Sequence, residues 1–147
     1  MQDPTAGVTS ARERVLEVVP GLDELLERGA PGDQVQSQAL AAGAAEQAWL
    51  LWFVRRRDGL VIIAPLAGIR PDAVPEALAR CNEHNAAMEW SVLSVAPWEG
   101  GQVASLSVRL ALPPRPDDVW AMVGGSMQHV LEAAGPARER LSDLIED

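Results

Sequence analysis

The sequence contains no tyrosine, no lysine, one phenylalanine, one cysteine and two histidines, and these scarcities remove several classes of function. A lone Cys81 cannot close an intramolecular disulfide. With His84 and His129 as the only imidazoles, a metal centre would have to lean on carboxylates, and the Cys/His spacings of zinc and iron sites are absent. No metal or cofactor is therefore expected. The 12 basic residues are outnumbered by 21 acidic ones, giving a formal charge of −9. Nucleic-acid affinity comes from cations that displace counterions, so direct nucleic-acid binding is not expected. No apolar run approaches the roughly 20 residues needed to cross a bilayer. The opening MQDPTAGVTS has neither the basic stretch nor the apolar core of a secretory signal. A cytoplasmic protein without membrane contact is the expectation. That every basic residue is arginine fits a GC-rich coding bias and carries little functional weight.

What is present is apolar: 48% of the 147 residues, with five tryptophans. This length suits one domain spanning 1–147, with a loose N-terminal arm at 1–9 and a short C-terminal helix and tail at 137–147. The most informative stretch runs from Trp49 to Leu66. Two apolar segments flank Asp58-Gly59, a pair suited to a type I′ turn. A turn at those two residues sets Arg55 opposite Ile62, Phe53 opposite Ala64 and Leu51 opposite Leu66. One face then carries Trp49, Leu51, Phe53, Arg55 and Arg57. The other carries Leu50, Trp52, Val54 and Arg56, opposed by Val61, Ile63 and Pro65. Both faces are apolar, so the hairpin needs two covers, and the chain has helices enough for one.

The flanking segments read in order. Ser10 is a candidate cap for a helix from Ala11, with a stripe of Val15, Leu16, Val18, Val19, Leu22, Leu25 and Leu26 broken at Pro20-Gly21. After a turn at 30–32, Gln34 to Leu40 reads as a polar edge strand, and the run from Ala41 to Ala45 leads into the hairpin. Asp72 caps a helix whose face carries Val74, Ala77, Leu78, Cys81, Asn85 and Met88. A strand through Trp90 to Ala96 follows, then a turn at Trp98-Glu99-Gly100-Gly101. From Val103 to Leu112 the alternation is clean, with Ala104, Leu106, Val108, Leu110 and Leu112 on one face and Ser105, Ser107 and Arg109 on the other. The last long helix starts at Asp117 or Asp118 and ends at Gly135-Pro136, before a short helix from Ala137 to Ile145. Its internal Gly124-Gly125 costs about 1 kcal/mol per glycine against alanine, a cost easier to accept where backbone packs close on a neighbour.

The plan is α+β: an antiparallel sheet with helices packed against it, in the order α-β-β-β-α-β-β-α. The Asp58-Gly59 hairpin, the helix ending in Cys81-Asn82-Glu83-His84-Asn85, and the strand Val103 to Leu112 leading to Pro116-Asp117-Asp118 carry a resemblance. Together the segment from Trp49 to Ala134 resembles the YbjN family, whose fold is similar to the type III secretion chaperones of the Tir-chaperone kind. In that family the second helix often ends in Asn-x-x-Asn just before the next strand, as Asn82 and Asn85 do here. The resemblance implies a non-enzymatic, usually dimeric protein that binds another polypeptide. The residues themselves show no catalytic constellation.

The candidate partner surface is whichever hairpin face the helices leave open, with Trp49, Phe53, Arg55 and Arg57 on one side and Trp52 on the other. A partner segment adding as a strand at Gln34 to Leu40 is a further possibility. The arginine run also reads simply as a solvated hairpin end that discourages edge pairing. The alternative function is a small-molecule-binding or hydrolytic domain using His129 with Asp117 and Asp118, although carboxylates at a helix start are expected on dipole grounds alone.

Overall fold

The clean alternation from Val103 to Leu112 becomes a strand whose Ala104, Leu106, Val108 and Leu110 are buried while Arg109 is exposed. That strand sits beside the hairpin in a single antiparallel sheet. The computed structural model of the chain describes residues 6–28, 35–42, 47–57, 59–87 and 90–146, with the side chains of 6–10, 28 and 35–42 outside that description. The elements are α1 (Ala6–Val18), α2 (Leu22–Arg28), β1 (Val35–Ala42), β2 (Ala48–Arg56), β3 (Gly59–Ile69), α3 (Val74–Ala87), β4 (Val92–Trp98), β5 (Gly101–Ala111) and α4 (Pro116–Glu139). Short 3-10 turns occupy Pro71–Ala73 and Ser142–Leu144. The five strands lie in the order β1-β2-β3-β5-β4, an α+β architecture.

The core lies on one side of this sheet. Trp49, Leu51, Phe53, Leu60, Ile62 and Ala64 face it, and Val15, Val19, Leu22, Val123, Met127 and Val130 of the helices close over them. Several of these side chains have no exposed surface at all, and each full burial is worth about 1.5–3 kcal/mol. Val54 and Val61 are also buried, yet they stand apart from the core, because even-numbered residues of β2 point to the opposite face.

Several details differ from the sequence expectations. The hairpin closes one residue earlier than a turn at Asp58-Gly59 requires, which shifts every cross-strand partner by two: Arg56 pairs with Gly59, Arg55 with Leu60 and Phe53 with Ile62. Gly59 belongs to β3, where a Cβ would stand 2.0 Å from the carbonyl oxygen of Leu110. The glycine there permits close approach of backbone to backbone, in place of a positive φ. Asp58 lies outside the described residues. A slide of two residues preserves which side chains share a face, so the reading of two apolar faces stands.

The first helix begins at Ala6, leaving Ser10 inside it, so the N-terminal arm is shorter than 1–9. Its break falls at Pro20-Gly21 as the sequence indicates, Gly21 taking φ +90°. The turn at 30–32, the stretch 43–46 and Met88 lie outside the described residues. Asp72 falls within the 3-10 turn rather than capping α3.

At the other end, α4 runs through Gly135-Pro136 to Glu139, and no separate helix spans 137–145. An internal proline costs a helix about 3 kcal/mol. Here the buried Ala134, Ala137 and Leu141 hold the segment on the core, while Pro136 faces solvent. Of the glycine pair, Gly124 does pack: its Cβ position lies 3.5 Å from Val15 of α1. Nothing stands within 4 Å of the corresponding position at Gly125.

The β2–β3 ladder ends at Trp52 and Ile63, two residues before Pro65, which has no N–H to offer. Further along, β3 takes a different partner. The C-terminal segment lies antiparallel to it through an Ile69–Ile145 bridge. Arg70 N–H donates to Leu144 O at 3.0 Å and Glu146 N–H to Gly68 O at 2.8 Å. Arg80 fastens this segment by paired bonds to Asp143 at 2.6 and 3.0 Å.

Candidate functional site

Because the helical residues of the core all lie on one side, the opposite sheet face is open among the described residues. From β2 it presents Leu50, Trp52, Val54 and Arg56; from β3, Val61, Ile63 and Pro65; from β5, Ser105, Ser107 and Arg109; from β4, Val92, Ser94, Ala96 and Trp98. Val92 is 51% exposed and Trp98 45%, so two large apolar side chains of β4 meet water. The Trp98 ring stands edge-on to Trp52, with centroids 5.3 Å apart at 68°. Strands β3 and β5 separate these two residues in the sheet order. A depression of about 390 Å³ beside them is lined by Trp52, Val54, Ile63, Trp98 and Glu99. The Trp52 indole N–H is buried with no hydrogen-bond acceptor among the described residues, a group that costs free energy until something pairs with it.

The structure therefore selects between the two hairpin faces. Trp49 and Phe53, candidates for partner binding, are core residues with 7% and 0% exposure and are corrected out of any contact surface. Trp52 lies on the open face. Arg55 folds back on its own hairpin, its guanidinium donating to the carbonyls of Arg56 and Gly59, and Arg57 is exposed beside the turn. The residue that sequence reasoning missed is Trp98, assigned there to a turn. Its signal was present in the alternation of Val92, Ser94 and Ala96, which extends to it by one more step.

The two sheet edges differ. β1 lies at one edge, as expected for the Gln34–Leu40 segment, and pairs with β2 from Val35 to Ala42. β4 lies at the other and is blunted by Asn85 of α3. The Asn85 side-chain amide donates to Leu93 O at 2.9 Å and accepts from Leu93 N–H at 2.7 Å. One side chain thus supplies the bonds of a neighbouring strand residue. Pro97 further along the same strand has no N–H. Both devices oppose strand addition there.

The polar candidates separate. Asp117 and Asp118 are exposed at the start of α4, and His129 lies about 17 Å further along the helix at 1.5 Å per residue. Among the described residues no carboxylate lines the cleft at the imidazole. Instead His129 borders an apolar cleft between α4 and Trp90, and its Nε2 is buried without a partner among the described residues. Cys81 is buried and burial pushes its thiol pKa up, which keeps it protonated and unreactive. His84 is 4% exposed, with neither ring nitrogen partnered among the described residues; burial, then the charge of Arg140, lowers its pKa. Among the described residues no group of three or more His, Cys, Asp or Glu side chains could hold a metal ion, and no helix is long and apolar enough to cross a membrane.

The sheet order, the one-sided helical cover and the placement of α3 at the β4 edge make an α+β fold built on a single antiparallel sheet. The structure is similar to the crystal structure of YbjN from E. coli, a proposed transcription regulator, with a TM-score of 0.58 over 88% of this chain and 98% of that one. Sequence identity is 17%, so the likeness is one of fold. No protein-family model matches the sequence, and no curated protein matches it.

Proposed function

We propose that this chain is a non-enzymatic protein-binding module, a chaperone- or adaptor-like regulator whose open sheet face engages a polypeptide, either a second copy of the chain in a dimer or another protein. The observation that carries this reading is the apolar face left uncovered among the described residues, with Val92 and Trp98 about half-exposed along its β4 edge and the Trp52 N–H without a partner among those residues. Aromatic side chains dominate protein interfaces because each removes a large apolar area from water. A second copy placing the same face over this one gives both sheets their missing cover in a closed, two-fold arrangement. The acidic charge of −9 keeps such a protein soluble while the face is free.

The test is light scattering over a wide range of protein concentration, on the wild type and on a Val92→Asp/Trp98→Asp variant. A wild-type dimer and a folded monomeric variant are expected. A wild type that is monomeric at every concentration, and that retains no polypeptide on an affinity column beyond what the variant retains, would refute the proposal.

A further inference from the structure

The cleft beside His129 has the make-up of a ligand site rather than of a packing fault. It measures about 450 Å³ and is lined by Trp90, Val108, Ala121, Met122, Gly125, Ser126 and His129, within the size range of small-molecule sites. Three observations point to an occupant. His129 Nε2 is buried at its wall without a hydrogen-bond partner among the described residues, although a polar atom withdrawn from water is normally satisfied. Trp90 is 68% exposed, and its ring stands 6.2 Å from the imidazole of His129 at 46°, an aromatic wall left with one face open. Gly125 sits inside a long helix, against its propensity, and a Cβ there would meet nothing within 4 Å. Gly125 lines the cleft, so a larger side chain there would take up space at its wall.

We infer that this cleft binds a small, flat, largely apolar molecule carrying one hydrogen-bonding group, of the phenol type. The ring lies against Trp90, Met122 and Val108, and the polar group pairs with His129 Nε2. A hydroxyl suits the ring nitrogen whether or not that nitrogen carries a hydrogen, because a hydroxyl both donates and accepts. Apart from the imidazole, no ionisable side chain among the described residues lines the cleft, so the site favours an uncharged polar group. The site lies on the helical side of the sheet and is independent of the open face proposed for protein binding.

The probes are 4-methylphenol and toluene, which differ by the hydroxyl alone, titrated into the full-length protein while the NMR signals of the His129 imidazole and the five indoles are followed. Saturable shifts at His129 and Trp90 are expected, with a Kd of about 1 mM for the phenol, as its few heavy atoms allow. The phenol should bind about fivefold more tightly than toluene, the worth of one hydrogen bond. His129→Phe should abolish that advantage and leave toluene binding in place. Gly125→Val should remove both probes while circular dichroism shows an intact fold. Equal affinity for the two probes, an advantage that survives His129→Phe, undiminished binding to Gly125→Val, or shifts confined to Trp52 and Trp98 would each overturn the assignment.

Discussion

Replacing Asn85 by alanine removes both hydrogen bonds that hold the β4 edge, at 2.9 and 2.7 Å, and leaves the Leu93 N–H and C=O without their partner. A hydrogen bond contributes about 1 kcal/mol net, and a partly buried group left unpaired costs about 1–3 kcal/mol. Leu93 itself is 1% exposed, so water reaches the freed groups poorly. The expected loss is about 2–3 kcal/mol, which for a chain of this size lowers Tm by roughly 5–10 °C. Asn85→Asp separates the two bonds: a carboxylate still accepts from Leu93 N–H but sets its second oxygen against Leu93 O, so it should recover little of the loss. Urea unfolding measures the free energies, and the exchange rate of the Leu93 amide reports the site directly. A fall of less than about 0.5 kcal/mol for Asn85→Ala, the scale of an ordinary surface substitution, would refute the view that this side chain serves as a strand partner.

Gly59→Ala places a methyl group 2.0 Å from the Leu110 carbonyl oxygen and should cost about 3 kcal/mol or more, through displacement of β3 from β5, measured by urea titration. Gly125→Ala meets no obstacle and should stabilise by about 1 kcal/mol through helix propensity, raising the urea midpoint. Burial lowers the His84 pKa in the folded state, so the unfolded chain takes up the proton first. Stability from this source is whole above the unfolded value of about 6.5 and falls as pH drops through it toward the folded value. The urea midpoint should therefore decline between about pH 7.5 and 5.5, and His84→Leu should flatten that decline.

How much was legible follows from where each signal resides. β5 was readable because one of its faces is wet and the other dry, so alternation alone marks the buried side. The hairpin is apolar on both faces, and which one the helices cover depends on contacts far away in sequence, so Trp49, Phe53 and Trp52 were equivalent until the fold was seen. Its register was misread because a glycine after aspartate has two uses, a positive φ or a close approach, and the second is set by Leu110, a residue of another strand. Pro136 was taken as a stop because local propensity is against it, whereas Ala134, Ala137 and Leu141 keep the helix seated from outside that local window. Asn85 was correctly placed at the end of α3, but its bonds to Leu93 required the edge of β4 to be in place. The cleft at His129 joins residues of β5, α4 and the β4 approach, and no single segment announces it.

Strand β3 is shared lengthwise between β2 and the C-terminal segment, and this division sets an order in time. Its first half closes across a tight hairpin, while its second half waits for a contact across 73 residues, that of Arg70 with Asp143. Loop closure over that length costs roughly 3 kcal/mol more than closing the hairpin, before any bond is made. The half-edge from Gly68 to Arg70 is thus among the last parts of the sheet to form. By the same reckoning it is among the first to open, and the amides of Arg70 and Glu146 should exchange with solvent ahead of those in the β3–β5 ladder.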